Sequence, residues 1–376
     1  MTTPTELRVL QFCHGYDGPF LDCARQYASL FVGTPYKVTT VYLTGAPSVE
    51  VERGSASDEV VFLDYRSRDV RGLKLKAIRD IKRLVAGRNF QFCIAHRFKP
   101  IYVALLGTDL PVIGVHHGFG DYQRLSRKLF ANCFRRRLAL LGVSNAVRDE
   151  IRACLPSWPA ERIETLYNRI DIAAVQAEQV CRDDARAHLG LPLDAWVVGN
   201  VGRLHPDKDQ ATLIRGFAQA LPQLPAGSLL AIMGSGRLEA ELKALAAELG
   251  VSTSVRFLGQ VAQGRRYFKA FDVFALTSDH EPFGMVLLEA MAAGVPVICS
   301  DCGGGREVVG ESEWLFALGS AQALGQRLVR MAIDRPQSQA GFVEALHDRI
   351  VNMFSDSATR RVFWHLPMLQ SIAREQ

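Results

Sequence analysis

Short apolar runs recur along the first part of the chain, several followed by a segment with helical spacing. LRVLQFC (7–13) precedes the helical pattern FLDCARQYASLF (20–31). YKVTTVYLT (36–44) alternates, while FQFCIAH (90–96), PVIGVHH (111–117) and LALLGVS (138–144) are nearly continuous apolar runs, and NAVRDEIRACL (145–155) is again helical. Continuous apolar strands are those that a parallel sheet buries on both faces. Their alternation with helices predicts βαβ units. A polar stretch, 167–195, with turn residues at both ends interrupts the series. A second series follows: WVVGNVGRL (196–204), SLLAIMGSG (228–236), VRFLG (255–259), DVFALTS (272–278) and VPVICSD (295–301) as strands. Between them LEAELKALAAELG (238–250) reads as a helix closed by Gly250. The pattern therefore predicts two doubly wound α/β domains, 1–170 and 171–349, with a helical tail, 350–376, packing back on the first. In such sheets ligands bind beyond the strand C-terminal ends, so the loops after the strands are where chemistry is expected, around one cleft.

Length and composition agree with this division. The chain has 376 residues, 48% hydrophobic and 22% charged, enough for two cores. No apolar run approaches the ~20 residues of a membrane span. The start, MTTPTELRVLQFC, lacks a basic segment followed by an apolar one, so a cytoplasmic protein is expected. Eight cysteines are scattered, with one close pair, Cys299 and Cys302. No second pair or histidines at ligand spacing accompany it, so small buried cysteines are expected and no metal site.

Charge is distributed unevenly. Residues 1–170 hold 25 Lys and Arg against 16 Asp and Glu, a net of +9; the remainder holds 19 against 23, a net of −4. The excess gathers at 66–84 and at RLSRKLFANCFRRRLAL (124–140). The second stretch reads as an amphipathic helix, with Leu125, Leu129, Phe134 and Leu138 among basic residues. It fits either an anionic membrane surface or an ordinary helix with its apolar face on the core. No nucleic-acid motif accompanies the charge.

Several loops carry candidate chemistry. Arg203 and Lys208, in GRLHPDKDQ, follow a strand and suit a diphosphate, Arg as a bidentate donor and Lys as a point charge. Asp207-Lys208-Asp209 is formally a metal-binding D-x-D, but the lysine between the acids favours a phosphate role. Gly234 and Gly236 either admit a ligand to the backbone or make a tight turn. In SDHEPFGMVLLEAMAAGVPVI, Glu281 lies in a loop and a helix is expected from Pro282–Gly284, with the amides of Phe283, Gly284 and Met285 free to meet an anion. Glu289 lies eight positions on, about 12 Å of helical rise. That is too far for a shared proton and suits two ends of one long ligand. Three glycines, 303–305, and Glu307 follow the next strand, as backbone donors or as a plain turn.

GRLHPDK, MGSGRL, VRFLGQV, SDHEPFGMVLLEAMAAGVPVICSD and GGGREVV stand in the order and spacing of the retaining GT-B glycosyltransferases of family 4, which the chain resembles strongly over 165–315. AHRFKPIYVALL, PVIGVHHG, GVSNAVRDEI and YNRID extend the resemblance into the first domain, and the chain resembles bacterial lipopolysaccharide core glycosyltransferases. It implies a GT-B fold, two Rossmann-like domains facing a central cleft, and a nucleotide-sugar donor. By resemblance Glu289 holds the ribose, Glu281 the donor sugar, and Arg203 and Lys208 the diphosphate leaving group. The amides of Phe283, Gly284 and Met285 lie beside sugar and phosphate, and Gly234, Leu258 and Val261 frame the base. His117 matches the family's active-site histidine, with His116 as the alternative in the doubled pair. Gly15 and Gly18 stand where relatives carry a glycine pair, and His96 and Arg97 fall on the acceptor side with His116. The implied reaction transfers a hexose, glucose in the first instance, from UDP with retention and without a metal cofactor. The basic first domain points to a lipid-linked or lipopolysaccharide-type acceptor at the inner face of the cytoplasmic membrane. Two rivals stand beside it: a nucleotide-sugar 2-epimerase of the same fold, for which no acid–base motif is found, and a non-catalytic nucleotide-sugar-binding partner, which would be expected to lack Glu281, Arg203 or Lys208. A dehydrogenase is disfavoured, since no G-x-G-x-x-G follows the first strand.

Overall fold

A computed structural model describes residues 6–310, 313–333 and 336–374. The chain divides into two compact units, Met1–Arg169 with Thr359–Gln376, and Ile170–Ala358. Residues 350–358 therefore stay with the second unit, and the return to the first begins at Thr359.

The first unit is built on seven parallel strands: β1 (Arg8–Cys13), β2 (Lys37–Thr44), β3 (Glu59–Tyr65), β4 (Phe90–His96), β5 (Val112–His116), β6 (Leu138–Gly142) and β7 (Ile163–Thr165). Their order is β3-β2-β1-β4-β5-β6-β7. Val9, Leu10 and Phe12 are wholly buried, so β1 is covered on both faces, as its continuous apolar run requires. The second unit has six: β8 (Val197–Val201), β9 (Leu229–Met233), β10 (Val255–Gly259), β11 (Val273–Leu276), β12 (Val297–Ser300) and β13 (Leu315–Phe316), in the order β10-β9-β8-β11-β12-β13. Every strand pair is parallel. The strand order reverses between β1 and β4, and again between β8 and β11. At such a point the connecting loops diverge and leave a crevice at the strand ends. The loops after β1 and β4 begin at His14 and Arg97; those after β8 and β11 hold Gly202–Asp209 and Thr277–Gly284.

Three strands, β3, β7 and β13, fall outside the runs picked out from the sequence, and all three are sheet edges. The fourth edge strand, β10, is among the runs picked out. The basic stretch 124–140 also resolves differently. Its helix is Leu125–Cys133; Phe134 ends it and Leu138 already starts β6. Leu125 and Leu129 are 69% and 57% exposed, so this helix does not turn those leucines to the core. No helix among the described residues is long and apolar enough to cross a membrane.

The chain's end returns to the first unit as helices Asp356–Trp364 and Pro367–Arg374. Phe363 is fully buried with its ring 5.7 Å from Phe31. Trp364 stacks on Tyr36 at 5.9 Å, and its indole donates to the Leu30 carbonyl at 3.1 Å. Phe363→Ala is expected to cost about 3–5 kcal/mol, read as a lower urea midpoint for the first unit; an unchanged midpoint would mean that the return is not part of its core.

Candidate functional site

In the second unit the loop after β8 and the loop after β11 meet. The Lys208 ammonium lies 2.7 Å from a Glu281 carboxylate oxygen, with the two side chains only 19% and 10% exposed. Ser278 donates its hydroxyl to the same oxygen at 3.2 Å. Hydrogen bonds to main-chain carbonyls brace the pair: the Thr277 hydroxyl donates to Lys208 (2.9 Å), the Asp279 amide to Asp207 (3.1 Å) and the Gly304 amide to Glu281 (2.7 Å). Arg203 is not drawn in. It is 71% exposed and makes a 3.3 Å contact with Asp207. Asp207 also pairs with His205, while the Asp209 carboxylate accepts the Thr212 amide as the cap of helix Gln210–Ala220. Both acids of the D-x-D are thus occupied by protein partners. Among the described residues no group of three His, Cys, Asp or Glu side chains is placed to hold a metal ion.

The helix after Glu281 starts later than the sequence implies. Gly284 takes φ 101°, outside right-handed helix, so the helix is Met285–Ala292 and Pro282 lies ahead of it. Helical rise therefore covers only four of the eight steps from Glu281 to Glu289, about 6 Å. Glu289 is half-buried, not enclosed. The Phe283 ring is turned into the core, 5.7 Å from Phe354. The glycines at 303–305 hold this loop: a Cβ at Gly304 would lie 2.4 Å from the Pro282 carbonyl oxygen. Gly234 is bound by a similar constraint, since its Cβ would lie 1.9 Å from the Gly202 oxygen. The 202–204 and 234–236 loops cross main chain on main chain, with Leu204 donating to Ser235 at 3.0 Å. Leu258 lies in β10 and Val261 follows that strand, both half-buried.

In the first unit the doubled histidine separates cleanly. His116 ends β5, is fully buried, and uses both ring nitrogens, Nδ1 with Asp121 (2.7 Å) and Nε2 with the Tyr122 hydroxyl (3.2 Å). It fastens the 117–122 loop and is not available to a ligand, against its expected place on the acceptor side. His117 is the first loop residue and is half-buried. Its Nε2 lies 3.0 Å from His96 Nδ1 and its Nδ1 3.9 Å from the Cys23 sulfur. His96 is 3% exposed, so it orients the His117 ring and does not itself line the acceptor side. Gly15 packs against the end of β2, where a Cβ would lie 2.8 Å from Thr44 Oγ1, and Gly18 turns with φ 60°. Arg97 takes φ 72° at the start of helix Phe98–Gly107.

A cavity of about 400 Å³ in this unit is walled by His14, Arg97, Lys99, His117, Asp121 and Arg127 among others. His14, Lys99 and Arg127 were not singled out by the motifs. His14 had a signal in the HGYDG turn after the first strand; Lys99 and Arg127 are ordinary basic residues until the fold gathers them. Desolvation lowers three histidines of this unit, His14, His96 and His117. It brings His96 to about 3, and with Lys99 and Arg97 it brings His14 to about 4. His117 is held well below its ordinary value by desolvation, then by His96 and Arg97. All three are neutral hydrogen-bonding groups at pH 7.

Both units match family models, residues 182–346 that of glycosyl transferases group 1 and residues 24–174 that of glycosyltransferase family 4. Among curated proteins, the Rhizobium meliloti lipopolysaccharide core biosynthesis glycosyltransferase LpsE is 34% identical over 183 residues, 48% of this chain and 52% of that protein. A D-inositol 3-phosphate glycosyltransferase of Nocardia farcinica is 32% identical over 270 residues, 66% of this chain and 57% of the relative. The chain spans about half the length of the curated relatives it matches. Among solved structures, a Rickettsia africae glycosyltransferase superposes with a TM-score of 0.83 at 15% identity, covering 99% of this chain and 100% of the other. Anabaena HepE, solved with UDP and glucose, superposes at 0.73 with 22% identity, covering 99% of each. Those likenesses fix the fold as GT-B.

The three lowered histidines have a consequence for stability. The unfolded chain protonates each near 6.5, the folded chain only well below that, so unfolding takes up protons as the pH falls. Stability contributed by their neutrality is complete above about pH 6.5 and declines below it. Urea midpoints measured between pH 7.5 and 4.5 are expected to fall over this window, and His96→Asn to flatten the fall; identical profiles for the two proteins would contradict the assignment.

Proposed function

Because the chain belongs to the group 1, family 4 glycosyltransferases, we propose that it transfers a hexose, glucose in the first instance, from UDP to a membrane-associated glycan of the lipopolysaccharide-core kind. Transfer proceeds with retention and without a metal. The observation that carries the donor side is the shielded Lys208–Glu281 contact at the β8/β11 switch point. It sets a phosphate-binding cation against a carboxylate that accepts from sugar hydroxyls.

The donor lies along the second unit. Glu289 receives the ribose hydroxyls, Leu258, Val261 and the Gly234 turn frame the base, and the backbone at Phe283, Gly284 and Met285 faces sugar and phosphate. Glu281 accepts from the hexose hydroxyls. As the bond between the sugar's anomeric carbon and the phosphate oxygen breaks, negative charge grows on UDP, and Lys208 with Arg203 stabilises it. The acceptor oxygen attacks on the face that UDP leaves. Lys208 and Glu281 hold each other's charge until the donor arrives, so neither is left buried and alone. In the first unit His117, neutral and aimed by His96, hydrogen-bonds a donor-sugar hydroxyl. Gly15 and Gly18 let the backbone come near the diphosphate.

The acceptor's membrane setting rests on the outward leucines. Leu73 and Leu75 are 66% and 69% exposed, as Leu125 and Leu129 are on their helix. The two groups are linked through Lys74, whose ammonium lies 4.6 Å over Tyr102, which in turn packs 4.8 Å from Phe130. Exposed leucines among Lys74, Lys76, Arg124 and Lys128 suit an anionic bilayer at the inner face of the cytoplasmic membrane.

Two measurements follow. Glu289→Ala is expected to weaken UDP binding by roughly tenfold or more, while Glu281→Ala lowers turnover with a smaller loss of UDP affinity; equal losses of UDP affinity would contradict the two-ended grip. In sedimentation at low salt, vesicles containing phosphatidylglycerol are expected to carry the protein down more than phosphatidylcholine alone. Leu125→Ser with Leu129→Ser is expected to reduce that binding by roughly tenfold. Equal binding to both vesicle types would remove the membrane reading.

A further inference from the structure

Cations converge on the first unit's cavity and only part of their charge is neutralised. Arg127 is ion-paired with Asp121 and its guanidinium lies 4.5 Å over the Phe98 ring. Arg97 and Lys99 line the same cavity. The Arg97 guanidinium lies 3.9 Å over the Phe20 ring, and neither it nor the Lys99 ammonium forms an ion pair or hydrogen bond among the described residues. Lys99 is half-buried. Its surroundings disfavour its charge, first by desolvation and then through Arg71, Arg127 and Arg97, and its pKa is lowered accordingly. Lys74 stands close by and is lowered in the same way, by desolvation and then by Lys99 and Arg127. A shielded lysine set among like charges is costly, and nothing in the protein offsets it.

The wall has three cations, Arg97, Lys99 and Arg127, against one carboxylate, Asp121, which also bonds His116. The surplus of two matches a phosphomonoester, which carries about −1.5 to −2 near neutral pH. The cavity also lies at the start of helix Phe98–Gly107, whose first turn has no side-chain cap, a polarity that favours an anion further. At about 400 Å³ the space exceeds a phosphate and leaves room for the sugar or other group that bears it.

We infer that this cavity is a phosphomonoester subsite, in which Arg97, Lys99 and Arg127 grip a phosphate carried by the acceptor. The inference rests on the reading of the first unit as the acceptor side. It makes Lys99 a specificity residue: an acceptor bearing the phosphate binds, and its dephosphorylated form does not. The phosphate belongs to a soluble or glycan-borne phosphosugar or to a lipid headgroup, and the chemistry at the three side chains is the same.

The test uses the full chain and three variants, Lys99→Gln, Arg97→Gln and, as a control in the same basic unit, Lys82→Gln. Binding is measured by calorimetry for glucose 6-phosphate and inorganic phosphate. Co-sedimentation is measured for phosphatidylcholine vesicles containing phosphatidic acid or, at matched surface charge, phosphatidylserine. UDP binding is measured on every protein. Lys99→Gln and Arg97→Gln are each expected to weaken phosphomonoester binding by roughly tenfold, with Lys82→Gln and UDP binding unchanged. Selective binding of glucose 6-phosphate places the phosphate on a sugar; selective binding of phosphatidic acid vesicles places it on a lipid. Absence of phosphomonoester binding, or equal losses in Lys99→Gln and Lys82→Gln, overturns the subsite. Loss of UDP binding in the unaltered protein defeats the donor reading instead and leaves the phosphate result standing.

Discussion

A lysine and a glutamate largely out of water can both stay charged only because each has the other. The Lys208–Glu281 contact imposes that condition on the second unit, and much of the surrounding backbone serves it. Removing one partner of such a buried pair typically costs about 3–5 kcal/mol, so the loops that bring the two together must be held closely. Three hydrogen bonds do so: the Thr277 hydroxyl and the Asp279 amide from the loop after β11, and the Gly304 amide from the helix that starts at Gly303. The helix that begins at Gly303 abuts the Glu281 loop only because Gly303 and Gly304 lack side chains. The glycine run, readable from the sequence as backbone donors or as a plain turn, joins two pieces of backbone.

The first unit meets a different constraint. It accumulates cations around a cavity and histidines beneath it, and it separates the two chemically. The histidines are desolvated until they are neutral, which makes them hydrogen-bonding surfaces without charge. The charge is left to Arg97, Lys99 and Arg127 at the wall. A neutral interior thus lies beneath a cationic rim.

Much of this was legible in the chain because buried parallel strands write themselves as apolar runs. The strands that bear the site, β1, β4, β5, β8 and β11, are all internal, and each was visible. Of the four edge strands, β10 was visible, while β3, β7 and β13 were not. Helix 285–292 was visible but its start was misplaced, since a left-handed glycine at 284 cannot be told from a helical one by pattern. The same limit applied at His116 and His117. Only the end of β5 determines which ring turns inward, and strand ends carry no composition of their own. Lys99 was illegible for another reason: its significance lies in having arginines for neighbours in space, and no local pattern records that.

The return of the chain at Thr359 gives this protein an order of completion. Residues 170–358 form a whole unit with its own sheet, while residues 6–169 lack the helices that cover Phe31 and Tyr36 until residues beyond 358 are made. During synthesis the second unit can finish while the first still presents an aromatic face to water. Residues 6–169 therefore close only after residues 170–358 have been made. Phe363 and Trp364 act as its final fastening, and a chain ending at Ala358 keeps the second unit whole but leaves that face bare.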